Sequence, residues 1–204
     1  MSDIFKYIVT GLLAILPASL VAQDTSLLDK LYADFSSHCV AMDCEYTTVI
    51  DGIASKGECK VEVQGTSYRM EGLGLEIFCD GESVWVLDPV AKEAIVEPVS
   101  DDSFAYMSNP SLLFRDMDKV FTVASATASG IGMKYNLIAR SSCGISKAML
   151  ELDKNAVLKT ADFTMDNGGR MKINVLSMHT LPLKSKDLFV PSDFSADWII
   201  TDLR

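Results

Sequence analysis

Between Gly57 and Val99 the chain reads GECKVEVQGTSYRMEGLGLEIFCDGESVWVLDPVAKEAIVEPV, and no other stretch restricts the fold as much. Short runs of β-branched and aromatic residues are cut at Gly65, Gly72, Gly74, Asp80-Gly81 and Asp88-Pro89. Turn residues this close together leave no room for helices and specify a meandering antiparallel sheet. Asp80-Gly81 reads as a two-residue hairpin loop, whose central positions need positive φ. That loop sets Ile77 opposite Val84 and Leu75 opposite Val86, all on one face. The other face carries Glu76, Phe78, Ser83, Trp85 and Leu87, too apolar for solvent, so a cover is expected on both sides.

The sheet extends in both directions. Asp51-Gly52 predicts a second hairpin with Ile50 opposite Ile53 and, counting outward, Cys44 opposite Cys59 at a hydrogen-bonded pair. Further on, Met133 to Ser141, Ile145 to Leu152, Ala156 to Met165 and Arg170 to Met178 alternate or run apolar between turn residues. For the last turn, a three-residue loop at 167–169 pairs Met165 with Met171, Phe163 with Ile173 and Ala161 with Val175. A two-residue loop would set Phe163 against Lys172, so the longer loop is preferred. The reading is a mainly β chain of about ten or eleven strands, forming one curved antiparallel sheet or incomplete barrel.

Two segments have helical character. From Asp24 to Ser37, Leu27, Leu28, Leu31, Tyr32 and Phe35 recur at helical spacing, with Ser26-x-x-Asp29 as the expected cap. After Val99 the alternation stops. Asp101 and Asp102 fall in a solvated loop, and Ser108-Asn109-Pro110 opens a short helix with an apolar patch of Leu112, Leu113, Phe114 and Met117. Such an insertion is either a lid over the sheet or a plain helical crossover.

Residues 1–22 hold one Lys (Lys6), an apolar run from Ile8 to Leu16 and small residues up to Ala22. This is the pattern of a secretory signal peptide. Residues 23–204 then make a single exported domain of roughly 180 residues, enough for one real core. With 18 basic against 28 acidic side chains the net charge is −10, which argues against nucleic acid or anionic lipid headgroups as partners. The five cysteines, at 39, 44, 59, 79 and 143, would meet an oxidising compartment. Cys44–Cys59 is the favoured disulfide and Cys39–Cys79 a second candidate, the alternative being five small buried hydrophobes. His38 and His179 have no nucleophile or carboxylate arranged around them, and no metal-ligand spacing or phosphate loop occurs. No catalytic residue, cofactor or metal is expected, and an enzyme is not.

Several stretches together carry a resemblance to a known family. Tyr68-Arg69-Met70 stands where periplasmic lipoprotein carriers of the LolA family have a Phe-Arg-Trp-like triplet. Cys79-Asp80-Gly81-Glu82-Ser83-Val84-Trp85-Val86-Leu87-Asp88-Pro89 is similar to their following S-D-G-K-x-x-W-x-Y-x-P segment. Asn109-Pro110-Ser111-Leu112-Leu113 is similar to their short helical segment. The ending, from Phe189-Val190-Pro191 through Trp198 to Arg204, resembles that of Bacteroidetes-type members. One departure is plain: the family's basic residue and Pro ahead of the triplet are replaced by Val63-Gln64-Gly65.

The resemblance implies a half-open β-barrel closed by a helical lid, whose apolar interior shelters lipoprotein acyl chains in the periplasm. It implies acylated lipoproteins, an inner-membrane ABC exporter and, in some bacteria, an outer-membrane acceptor as partners, with the carrier a monomer. Burying an acyl chain of roughly sixteen carbons is worth about 13 kcal/mol, so release requires adaptable walls. Ten methionines, nine of them after the leader, suit that need. The expected acyl-binding residues are Met70, Leu75, Ile77, Val84, Val86, Phe163, Met165, Met171 and Ile173, with Leu112, Leu113, Phe114 and Met117 beneath the lid. Arg69 is expected to hold a lid group or lie outside, and Trp85 to pack under the first helix. The other reading is a lipid-binding or protein-interaction module, a sensor or regulator on the same fold without transport.

Overall fold

A computed structural model describes residues 24–100, 109–192 and 194–204. The leader read at residues 1–22 and the loop at Asp101 and Asp102 lie outside the described residues. Helix α1 (Ser26–Ser37) buries Leu28, Leu31 and Phe35 on one stripe. Its cap lies one residue earlier than expected: Thr25 Oγ1 donates to Asp29 at 2.9 Å and the Ser26 N–H donates to Asp24 at 3.0 Å.

Six strands follow: β1 (Cys39–Ile50), β2 (Ile53–Gln64), β3 (Ser67–Gly72), β4 (Leu75–Cys79), β5 (Ser83–Asp88) and β6 (Glu93–Pro98). Two short helices, α2 (Pro110–Arg115) and α3 (Met117–Val120), lead into β7 (Phe121–Ala128), β8 (Gly132–Ala139), β9 (Ile145–Asp153), β10 (Leu158–Met165) and β11 (Arg170–Leu181). A 3-10 turn (Lys186–Phe189) and β12 (Ile199–Asp202) end the chain. All twelve strands form one open sheet in the order β12-β6-β5-β4-β3-β2-β1-β11-β10-β9-β8-β7. This is the half-open, helix-covered barrel that the family resemblance implies.

The strand count exceeds the expected ten or eleven, and physical reasons account for the difference. β7, FTVASATA, is built largely of Ala, Ser and Thr, so its two faces differ too little for alternation to show. β12 is exposed at every residue and exists because it pairs in parallel with β6, Ile199 against Glu93, which no local pattern encodes. Two loops also differ in place. At Asp80 the two central residues are Gly81 and Glu82, because the Asp80 carboxylate accepts from the backbone N–H groups of Glu82 and Ser83, both at 2.8 Å. Ile77 therefore pairs with Val86 and Cys79 with Val84. At the last turn a three-residue loop forms, but at 166–168, held by the Met165 N–H to Gly169 carbonyl bond of 2.8 Å. Phe163 thus pairs with Met171 and Ala161 with Ile173. Both shifts are by two residues, which leaves every side chain on its expected face. The Asp51-Gly52 hairpin has the expected register, with both residues at positive φ, Ile50 opposite Ile53 and Cys44 opposite Cys59.

Each face of the sheet has its own core. The inner face packs against α1, α2 and α3 through Leu31, Phe35, Leu113, Phe114 and Met117 over Val40, Met42, Val63 and Phe163. The outer face of β4, β5 and β6 carries Phe78, Trp85, Leu87, Ala94 and Val96 beneath Phe194 and Trp198 of the C-terminal segment. Trp85 is therefore not under the first helix: on β5 it alternates to the face opposite Val84 and Val86, and the tail covers it. The expectation of a cover on both faces is met.

Candidate functional site

Strands β1 and β2 run twelve residues each and form the spine of the inner face. Along β1 the even-numbered residues point inward, and their exposure rises from Met42, which is buried, through Tyr46 and Thr48 to the tip at Ile50. The helices close one end of the half-barrel while the hairpin tips leave the other open. A bulge at Leu176 in β11 switches that strand's faces, so that Val175, Ile173 and Met171 look inward beside Cys44, Tyr46 and Thr48.

An apolar cavity of about 280 Å³ fills the space between this wall and α2. That volume is near the lower end for small-molecule sites, roughly 300–1,000 Å³. Met42, Cys44, Tyr46 and Thr48 of β1 and Cys59 and Val61 of β2 form its floor. Met70, Gly72, Leu73, Leu75 and Ile77 make one side wall and Met171, Ile173 and Val175 the other. Pro110, Leu113 and Phe114 of α2 form the roof. Pro110 sits at the first turn as its sequence position predicts, and the Asn109 side chain caps the helix by accepting from the N–H groups of Ser111 and Leu112. Ser111 Oγ donates to the Thr66 carbonyl at 3.2 Å, fastening the roof to the β2–β3 turn.

Seven residues expected to meet an acyl chain line this cavity: Met70, Leu75, Ile77, Leu113, Phe114, Met171 and Ile173. The other six do not. Met117 and Phe163 are sealed in the inner core, and Met165 is buried at the β10–β11 turn. Val84 packs against the rim of that core, while Val86 and Leu112 are half-buried outside the lining. Sequence reasoning missed most of the floor. Its signal was present, since carrying the period of two outward from Cys44 and Cys59 reaches Met42, Tyr46, Thr48 and Val61. Arg69 lies on the outer face, ion-paired with Glu71 at 2.6 Å and Glu76 at 3.7 Å, with its guanidinium over the Phe78 ring.

All five cysteines are free thiols. Cys44 and Cys59 share a thiol hydrogen bond, which together with burial holds Cys44 above the ordinary thiol range; the same bond lowers Cys59 against the opposing effect of burial. The Cys39–Cys79 pairing is ruled out by geometry. Cys39 on β1 neighbours Lys184 and Glu62 on the outer face, while Cys79 on β4 faces inward beside Tyr68, with β2 and β3 between the two strands. Burial pushes Cys79 up to about 11. His38 ends α1 near Asp34, and His179 is exposed on β11. Among the described residues no group of three or more His, Cys, Asp or Glu could hold a metal ion, and no helix is long and apolar enough to cross a membrane.

Fold and cavity together define an open half-barrel with a helix-roofed apolar interior. No family model matches the sequence, and no curated protein matches it either. Solved structures do. A conserved protein from Thermus thermophilus superimposes with a TM-score of 0.55 at 13% identity, over 86% of this chain and 96% of that one. A LolA superfamily protein from Nitrosomonas europaea gives 0.43 at 13% identity, over 83% and 98%. A DUF1329 family protein from Desulfovibrio piger gives 0.45 at 12% identity, over 80% and 94%. The likeness to the Thermus protein is one of fold.

Proposed function

We propose that this protein is a periplasmic carrier that shelters lipoprotein acyl chains in its cavity between the inner and outer membranes. The observation that carries the reading is the cavity itself: an apolar, half-open space whose floor and walls include Met42, Met70 and Met171. Unbranched thioethers repack around guests of different length, which favours a site that must both hold and release. Among the described residues no charged side chain lines it, so these walls offer an ionic headgroup no partner and an alkyl chain a full set of contacts. The leader read at residues 1–22 supports export, and the resemblance to lipoprotein carriers supports an inner-membrane ABC exporter as donor and an outer-membrane acceptor.

The test is native mass spectrometry of the protein purified from a periplasmic extract, followed by organic extraction. A bound acylated protein or lipid of defined stoichiometry is expected, lost in Ile77→Glu and in Leu113→Glu. A bare chain that also fails to take up a palmitoylated peptide would overturn the reading.

A further inference from the structure

The ladder between β2 and β3 begins at Cys59, opposite Gly72, and runs to Gln64. From Ile53 to Glu58, β2 pairs with β1 alone among the described residues. The β1–β2 hairpin therefore projects past the shorter β3–β4 hairpin and presents a strand edge beside the cavity mouth. The loop closes on the Ile50–Ile53 pair, so the antiparallel alternation turns the main-chain groups of Ala54 and Lys56 away from β1 and toward open space. Exposed edges of this kind are normally blunted with proline or charged side chains, or covered. Among the described residues this one carries Lys56 but has no proline and no cover.

The edge adjoins two spaces. On the inner side is the apolar cavity; on the outer side is an open groove of about 610 Å³. Cys44, Cys59, Gly72 and Leu75 line both, so the two lie back to back across the sheet where β3 leaves β2. Gly72 lets β3 lie close against β2 at that point, since a Cβ there would lie 2.9 Å from the Glu58 carbonyl oxygen. The groove is lined by Asp43, Glu58, Glu71 and Glu76 against Lys60. Arg69 answers Glu71 and Glu76 from beside it, and the remaining balance is negative.

We propose that the unpaired edge of β2 is the docking strand for the polypeptide of the acylated cargo. The acyl chain fills the cavity, and the peptide attached to it leaves by the cavity mouth and adds to Ala54 and Lys56 as an extra strand. Main-chain pairing makes such recognition tolerant of sequence, as a carrier of several cargoes requires, and the groove favours basic over acidic segments. The inference rests on the carrier reading.

The test compares two probes on the exported protein: palmitic acid, and a palmitoylated peptide of Cys-Ser followed by four lysines. The peptide is expected to bind more tightly. Lys56→Pro, which removes one edge N–H at an exposed position, is expected to weaken the peptide about tenfold and leave palmitic acid unchanged. In the unaltered protein, the Ala54 and Lys56 amides are expected to gain hydrogen-exchange protection with the peptide and none with palmitic acid. Equal affinities for the two probes, or amides that stay unprotected, would overturn the docking strand while leaving the cavity intact. Edge-to-edge dimers abolished by Lys56→Pro would assign the edge to a second copy instead. Failure of both probes to bind would remove the carrier reading and this inference with it.

Discussion

Phe35 of α1 and Phe114 of α2 stack with ring centroids 4.6 Å apart and an interplanar angle of 7°. This contact ties the roof to the first helix, and Phe114 also lines the cavity. Phe114→Ala is expected to lower stability by about 3 kcal/mol, measured by urea unfolding, and to weaken palmitic acid binding at the same time. Phe35→Ala, on a residue that does not line the cavity, should cost similar stability while affecting binding less.

The thiols should react in an order set by their surroundings. Burial raises Cys39, Cys79 and Cys143, and Cys44 is raised by its bond to Cys59 and by burial. Cys59 is lowered and half-buried on the cavity floor. Iodoacetamide at about pH 8 is expected to modify Cys59 first, and excess palmitic acid to protect it, as read by peptide mapping. A disulfide-forming oxidant such as diamide should join Cys44 to Cys59 and leave Cys39 and Cys79 unjoined.

Asp116, at the corner between α2 and α3, is buried and bonded to Arg115 and Lys119. Burial alone would raise its carboxyl, but the bonds from Arg115 and Lys119 outweigh that and hold it below 3.8. A lowered folded value means stability that is present above the unfolded value and lost as pH falls through the folded one. Asp116→Asn is expected to cost about 2 kcal/mol near neutral pH, with the gap to the unaltered protein closing below pH 3.8. A gap that persists in strong acid would show that the carboxylate's charge contributes nothing.

Both tryptophans, Trp85 and Trp198, belong to the outer cluster. Intrinsic fluorescence should therefore follow docking of the C-terminal segment and be little changed by ligand in the cavity. Trp198→Ala is expected to uncover Trp85, red-shift its emission and leave palmitic acid affinity within about twofold.

The sheet, the hairpin at Asp51-Gly52 and the helix start at Asn109-Pro110 were legible because each rests on local chemistry: alternation, positive φ, a cap. Strand faces were legible too, since a two-residue slip preserves parity, which is why Met70, Leu75 and Ile77 were found despite the shifted β4–β5 loop. What was not legible depends on distance along the chain. Nothing near Trp85 announces that Trp198 will cover it, and nothing in β11 announces the bulge at Leu176 that turns Val175 inward. The two missed strands fail for separate reasons, weak contrast in β7 and remote pairing in β12.

The seam between β1 and β11 joins residues as distant as Cys39 and Leu181, whereas most other neighbours in the sheet are consecutive hairpins. The protein is thus two locally wound meanders sewn along one line. Apart from the short β12–β6 pair, long-range loop closure falls on that line, so each meander can form quickly while the join sets the pace of folding. The cavity spans the join, with its floor on β1 and β2 and one wall on β11, so a chain that lacks its last long strand would hold no cavity at all.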